Sequence, residues 1–553
     1  MSDLIASLLS KRGITLTEDV ERFLNPDYER DTHSPFLLEG MERAVARLLT
    51  AIAQGERVAV YADFDCDGIP GAVILSDFFE RIGYANREIY IPHRDREGYG
   101  FHKEAIDELS SGGVSLIITI DLGTNATEAV DFAKQKGIDV IVTDHHEQTG
   151  ALPDAVAVIN PKLGEYPFRD LCGAAVAFKL VQATLAEGKK RGIPSFTAIT
   201  DGWEKWLLDM VALATVADLV PLVGENRALA HYGLRVLRKS PRPGILALVN
   251  RLRLRQSELA EDDIAFSLAP RINAASRMGE PESAFLLLST KDGIQAEKLA
   301  AHLEELNTAR KTKVALMVRE AKKRMRIRYT DEKVVVLGDT NWSPTLVGLV
   351  ANSLMESRGG VVCVWGRDGE GRLRGSCRSD GSISITELFT AAGDCLEESG
   401  GHEKSGGFSV SHERVHMLPE KLAQAAEALE KKEIKARSTE HDGLIALSEA
   451  SSALFDEVSR LAPFGIGNPK PLFLVADVIV THVRRFGKES AHLELSLEDR
   501  RSGARARAFD FFRSSESFTH IPLQGGKTRV LATLERDSYR GGFALRLRDV
   551  LNV

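Results

Sequence analysis

The sequence predicts an α/β protein in several parts: a parallel-sheet domain, a long connecting helix, a second α/β domain and a small closed β-barrel. Three observations predict this. Over residues 51–224, short apolar runs rich in Val and Ile alternate with helix-patterned segments, the mark of βαβ units whose sheet is covered on both faces. A charged run at helical spacing, residues 295–328, separates these from a second strand–helix alternation beginning at Lys333. From about residue 440 the pattern changes to short alternating strands with polar turns.

Each element has its own warrant. Residues 7–16 and 41–52 read as helices of an N-terminal lead-in, 1–50, with a bend at Asn25-Pro26. Strands are expected at 57–62, 88–91, 114–120, 138–143 and 155–159, with a helix at 125–135 stopped by Gly137. Residues 225–330 read as helical and contain the segment SLAPRINAASRMG (267–279). The second α/β domain, 331–435, runs through strand VVVLG, a helix at 344–356, strand VVCVWG, strand RLRGSCRS, a Gly-rich loop at 400–408 and a final helix. In 440–553 a helix at 448–460 leads through LAPFGIGNPKPLF into the barrel.

The totals exclude several classes. At 553 residues the chain exceeds a single core, and 43% hydrophobic with 27% charged residues is the balance of a soluble globular protein. No apolar run approaches the ~20 residues of a spanning helix, and the first residues lack a signal-peptide layout. The five cysteines are scattered, odd in number and without a C-x-x-C pair, which predicts a reducing compartment, the cytoplasm, and argues against disulfides and zinc knuckles. A net charge of −8 excludes a general polyanion sponge but not a local basic groove.

The chemistry concentrates where strands end. The first strand runs into DFDCDG, with Asp63, Asp65 and Asp67 at alternate positions. Three carboxylates within five residues repel one another unless cations neutralise them. An EF-hand loop is excluded, because its bidentate Glu would fall at Ile74 and a strand, not a helix, precedes the loop. The third strand ends at Asp121, the fourth at Asp144-His145-His146, and Asp218 closes a helix expected at 206–217. In open parallel sheets, ligands bind outside the carboxyl ends of the strands, so these groups are expected to converge there. Any one could cap a turn; together they predict a metal site.

These motifs, DFDCDG, IDLG, TDHH and VADLVPL, resemble motifs one to four of the DHH phosphoesterase superfamily, and their order with the later segments resembles the bacterial RecJ family of single-stranded-DNA exonucleases. The resemblance implies two divalent cations, usually Mn(2+) with Mg(2+) as an alternative, one on Asp65 and Asp121 and the other on Asp67, Asp121, His145 and Asp218. It implies Asp63 and Asp144 as ligands or orienting groups and His146 facing the scissile phosphate. GSCRS (375–379) and GGHEKSGGF (400–408) resemble the substrate-binding DHHA1 domain, which implies Ser376, Arg378, Ser379, Gly401 and His402 as phosphate contacts. PRINAASRMG resembles a further RecJ signature and implies Arg271, Asn273 and Arg277 as substrate-binding. PFGIGNPKP announces an OB-fold tail, in which Arg484, Arg485, Lys488, Tyr539 and Arg540 are candidates for tracking and stacking a single strand, while Phe473, Phe509 and Phe511 are expected in the barrel core. Tyr61, Ser276 and Ser343 depart from the family pattern, as do Ser405-Gly406.

The resemblance implies a monomeric exonuclease of repair and recombination, degrading single-stranded DNA from the 5′ end to mononucleotides, with a single-strand-binding protein and a RecQ-type helicase as partners and no membrane. A DHH phosphodiesterase acting on short oligonucleotides or cyclic dinucleotides is the alternative, but those relatives lack the barrel. A non-enzymatic scaffold is disfavoured because every carboxylate is present.

Overall fold

The computed structural model describes residues 2–329, 332–429, 440–487, 490, 492–513, 515–537 and 541–553. The chain forms two compact units, one of residues 34–218 and 233–436, the other of residues 1–33, 219–232 and 437–553.

The larger unit holds two sheets. Strands β1 (Arg57–Ala62), β2 (Arg87–Tyr90), β3 (Val114–Ile120), β4 (Asp139–Thr143) and β5 (Ala157–Ile159) form a wholly parallel sheet in the order β2-β1-β3-β4-β5. The order reverses at β1, so the crevice between the ends of β1 and β3 is the switch point where such sheets take ligands. The register aligns three strand ends: Ala62 lies opposite Ile120, and Ile120 opposite Thr143. The residues that follow continue the ladder, with the amides of Asp63, Asp121 and Asp144 donating to the carbonyls of Ile120, Thr143 and Ile159 at 3.1, 2.9 and 3.0 Å. Three acids therefore stand side by side on one rim because their strands end in step.

One face of this sheet packs on helices Lys103–Ser111 and Thr127–Gln135, which bury Ile106, Leu109, Val130 and Ala133 against Tyr61, Ile117 and Val140. On the other, helix Gly68–Arg81 lies so close to the sheet that a methyl group on Gly71 would come within 2.5 Å of Ile120. It packs beside helix Gly173–Lys190.

Helix Gly293–Arg328 then spans 36 residues, roughly 54 Å at 1.5 Å per residue, and is capped by Asp292, whose carboxylate accepts from the Ile294 amide. Its Met317 and Ala321 are buried against the second sheet and helix Pro344–Arg358. That sheet runs β6 (Val334–Gly338), β7 (Val361–Arg367), β8 (Leu373–Ser379), β10 (Ser405–Val410), β9 (Glu398–His402); only the β6–β7 pair is parallel. The Gly-rich stretch expected as a loop is the β9–β10 hairpin. Its glycines serve close packing, since a methyl group on Gly406 would sit 2.7 Å from both Ile385 and Phe389.

In the smaller unit, strand β11 (Gly443–Ile445) runs alongside β12 (Phe473–Phe486), which forms a closed five-stranded barrel with β13 (His492–Glu498), β14 (Arg505–Asp510), β15 (Lys527–Arg536) and β16 (Phe543–Leu551); pairing of β12 with β15 closes it. The first helix is Asp3–Lys11 rather than 7–16. Ser2 caps its start by accepting from Ile5, and the Ile14 amide turns back to the Leu9 carbonyl to end it. Its Ile5, Leu8 and Leu9 join the core of the barrel with Phe473, Leu495 and Val550. Arg227 is buried in the same unit. It lies 3.7 Å over the ring of Phe23 and donates to the carbonyls of Phe23, Leu461 and Ala462 at 2.9–3.0 Å. Replacing Arg227 with Met leaves those carbonyls unsatisfied at a cost of about 3 kcal/mol. Calorimetry should then show the unfolding transition of this unit falling by several degrees with that of the larger unit unmoved.

Candidate functional site

All eight acid and imidazole residues expected at the strand ends meet at the β1/β3 switch point. Asp63 follows β1, is 4% exposed, and its Oδ1 has no hydrogen-bond donor. Asp65 turns back on the loop, its Oδ1 accepting from the Asp67 amide at 2.8 Å. The carboxylate of Asp67 accepts from the amides of Gly173 and Ala174, both at 2.7 Å, at the N-terminus of a helix where amides and dipole favour an anion. Asp121 adopts a left-handed backbone, φ 64°, uncommon outside glycine, and its buried Oδ1 also lacks a donor. Asp218 caps the C-terminus of helix Leu208–Ala217.

The two histidines are held differently. His145 Nε2 lies 3.1 Å from Asp121 Oδ1 and 3.7 Å from both Asp67 Oδ2 and Asp218 Oδ2. Burial, with the neighbouring His146, lowers its pKa to about 3, so the ring is neutral and presents a lone pair. His146 Nδ1 lies 2.7 Å from Asp144 Oδ1. Burial opposes its charge, but Asp144 outweighs burial and raises the His146 pKa to about 8. Asp144 thus holds the His146 ring in place. Its oxygens accept from the amides of Thr124, His145 and His146, and although burial alone would raise its pKa, His146 and Thr124 hold it below the carboxylate range.

The other carboxylates behave oppositely. Burial and then Asp65 push Asp67 up to about 7; burial, then Asp67 and Asp65, push Asp218 up to about 8; burial and the surrounding aspartates raise Asp63 and Asp121 well above the usual range. Carboxylates crowded together in this way are stabilised by cations. The donor set fits divalent ones. Asp63, Asp65 and Asp121 bring oxygens within 4.8 Å of one another, Asp67, His145 and Asp218 do the same with two oxygens and a nitrogen, and Asp121 reaches both groups through His145. Mixed carboxylate–imidazole ligation suits manganese.

The comparisons with known proteins agree. The DHH family, N-terminal domain, matches residues 57–215; the DHHA1 domain matches 331–433; the RecJ OB domain matches 441–549. The chain is 34% identical to the single-stranded-DNA-specific exonuclease RecJ of Bacillus subtilis over 91% of its own length and 62% of that protein, and 31% identical to the RecJ of Dickeya dadantii over 85% of this chain and 83% of that one. The chain belongs to the RecJ family. The crystal structure of RecJ in complex with Mn2+ from Thermus thermophilus superposes on all of it, covering 76% of that chain, with a TM-score of 0.81 at 28% identity.

In this chain a cleft of about 660 Å³ adjoins the acids, lined on one side by Phe64, Arg94 and Tyr99 and on the other by Thr345, Arg374 and Gly407. Arg277 donates to the Thr345 carbonyl at 2.8 Å; burial, then Arg94 and Arg310, lower its pKa to about 9, with Asp65 opposing and Arg378 adding to the fall. Arg378 donates to Ser376 Oγ at 2.7 Å, which fixes its fork. The remaining expected contacts stand elsewhere. Arg271 is engaged by Glu304 at 2.7 Å, Asn273 Oδ1 accepts from the Cys66 amide at 2.9 Å and so anchors the acidic loop, and Ser379 Oγ donates to Ile383 within its own turn. Gly401 and His402 are exposed at the end of β9. Tyr61 is fully buried, stacked on Tyr90 with its hydroxyl on the Gly100 carbonyl, so this departure contributes packing and no ligand. Ser343 bonds Thr345 Oγ1 at 2.8 Å, and Ser276 is buried on its own helix.

Sequence reasoning missed Arg94 and Tyr99. Arg94 lies 4.8 Å over Phe64, and the Tyr99 hydroxyl reaches the Asp121 carbonyl at 3.2 Å and His146 Nδ1 at 3.3 Å. The available signal was their place in the loop after β2, whose carboxyl end shares the acidic rim.

In the barrel, Phe473 is fully buried and Phe509 is 7% exposed, as expected of core residues, but Phe511 is 41% and Phe512 82% exposed. They cluster with Phe486 and His492, and Arg546 lies 4.4 Å over Phe511. Arg484 and Arg485 are exposed on β12, while Lys488, Tyr539 and Arg540 lie outside the described residues.

Gly173 abuts the rim directly: a methyl group there would meet Asp121 Cβ at 2.6 Å and Oδ1 at 2.8 Å. Gly173→Ala should displace Asp121 and lower turnover about 100-fold. Titration calorimetry with Mn2+ on the folded variant should show weakened binding.

Proposed function

We propose that this chain hydrolyses single-stranded DNA as a metal-dependent exonuclease, releasing mononucleotides from the 5′ end as the family resemblance implies. The observation that carries this reading is the convergence of buried, under-neutralised carboxylates and a neutral imidazole beside a cleft lined with guanidinium groups.

Asp63, Asp65 and Asp121 would hold one divalent cation, and Asp67, His145, Asp218 and Asp121 the other. When bound, such ions supply Lewis acidity toward the scissile phosphate and the positive charge the carboxylates lack. The chain's own groups do the rest. Arg94, Arg277 and Arg378 present fork-shaped donors to the phosphate oxygens. Asp144 orients His146 through Nδ1, leaving its other ring nitrogen for a phosphoryl oxygen or the leaving group. Tyr99 braces both Asp121 and His146 from the open side.

Affinity for long strands is assigned to the barrel, whose exposed rings and arginines make a stacking and tracking surface. A phosphodiesterase of cyclic dinucleotides has no use for that surface. The finer readings of partners, a single-strand-binding protein and a RecQ-type helicase, rest on the resemblance alone.

End-labelled single-stranded and duplex DNA incubated with Mn2+ or Mg2+ tests the activity: stepwise loss of the single strand with the duplex spared is expected. Asp121→Ala should reduce it to background while circular dichroism stays that of the wild type, and near-normal turnover would remove Asp121 from its shared position. Phe512→Ala should weaken binding of long single strands by about 1–3 kcal/mol. It should leave cleavage of a dinucleotide unchanged.

A further inference from the structure

A cavity of about 450 Å³ opens in the larger unit at the far ends of two helices that serve the acids. Helix Gly68–Arg81 starts beside Asp67 and brings Asp77, Glu80 and Arg81 to the cavity. Helix Leu208–Ala217 ends at Asp218 and brings Asp209. The first of these has 14 residues, which puts about 20 Å between the cavity and the catalytic rim.

The floor of the cavity is neutral. Asp77 and Asp209 are buried, and Arg242 joins them at 2.6 and 2.8 Å, while Lys291 takes the other Asp77 oxygen at 2.8 Å. Glu80, half exposed, stands 3.7 Å from Lys291.

The mouth carries the uncommitted chemistry. Trp203 and Trp206 line it from the 3₁₀ turn Trp203–Leu207. Side chains three apart in a 3₁₀ helix lie one above the other, separated by about 6 Å. The two indoles do not pack on each other; each takes a cation instead, the Arg81 guanidinium 5.6 Å over Trp203 and Lys239 Nζ 5.5 Å over Trp206. Among the described residues neither cation has a carboxylate partner, and Trp206 is 47% exposed. Flat apolar rings with positive charge held against them complement a flat aromatic ligand that carries negative charge. The volume lies in the small-molecule range of about 300–1,000 Å³, which favours one nucleotide over an extended acidic peptide.

We propose that this cavity binds a nucleoside 5′-monophosphate, its base against Trp203 and Trp206 and its phosphate on Arg81 and Lys239. Hydrolysis as proposed above releases molecules of this class, but the site is argued from its own residues and its test needs no cleavage.

The full chain labelled with 5-fluorotryptophan gives one fluorine resonance for each of its four tryptophans, assigned with Trp203→Phe and Trp206→Phe. Trp342 lines the catalytic cleft and reports binding there separately. Without divalent metal, deoxyadenosine 5′-monophosphate should move the Trp203 and Trp206 resonances together along one saturating curve. Deoxyadenosine, which lacks the phosphate, and deoxyribose 5-phosphate, which lacks the base, should each bind about tenfold more weakly or worse, the scale of a charge-assisted hydrogen bond or a stacked base. Arg81 and Lys239 are exposed, so Arg81→Gln and Lys239→Gln leave the fold intact. Each should weaken the monophosphate about tenfold and leave deoxyadenosine unchanged. Silence of both resonances at millimolar monophosphate, or movement of Trp342 alone, overturns the site. Resonances moved by a phosphorothioate decanucleotide or an acidic peptide and not by the monophosphate also overturn it, giving the cavity to a strand or to a protein partner.

Discussion

Buried negative charge that the protein does not neutralise governs the catalytic rim. Asp63, Asp67, Asp121 and Asp218 are each driven toward protonation, first by burial and next by Asp65 or Asp67. Such an arrangement persists only because the fold over-determines it. Parallel strands ending in step fix Asp63, Asp121 and Asp144, a helix N-terminus grips Asp67, and the missing side chain at Gly173 leaves the space that Asp121 occupies. The same neighbourhood lets two adjacent histidines diverge. His145, facing carboxylates, stays neutral, and His146, tied to Asp144, keeps its proton.

The division of labour across the larger unit follows from this. Acids sit on the rim of the first sheet and guanidinium groups face them from the loop after β2, from helix Ala269–Arg277 and from β8. Carboxylates and guanidinium groups are thus neighbours in one unit, with Asp65 acting on both Arg94 and Arg277. Burial, and after it repulsion from Arg94 and Arg310, presses Arg277 well below its ordinary pKa. The cleft is poised for an anion to relieve one side and cations the other.

Much of this was legible in the sequence, because period and punctuation are local. Apolar runs ending in acids marked the strands, their parallel arrangement and seven of the rim residues, since a strand's end and a sheet's ligand edge are the same place, while Asp218 was read from the end of a helix. What sequence could not supply was side-chain partnership. Arg271 and Arg277 share a helix and a motif, yet Glu304, on the connecting helix, takes the first and leaves the second facing Asp65. Ser379 sits in the motif beside Arg378 but closes a turn. The glycines at 400–408 suit a loop or a closely packed hairpin equally well until Ile385 and Phe389 are placed against Gly406. Phe511 and Phe512 follow a strand whose Phe509 is buried, and only the closure of the barrel decides which rings stay in water.

The joining of the first helix to the barrel core has a consequence for how the chain matures. Ile5, Leu8, Leu9 and Phe23 pack with side chains as distant in sequence as Val530 and Val550. Strands β1 to β5 lie within residues 57–159 and are free to pair while translation continues, whereas helix Asp3–Lys11 must wait for β16 to be made. Its apolar face is open to chaperones for nearly the whole of synthesis, and the loop that its docking closes is almost as long as the chain.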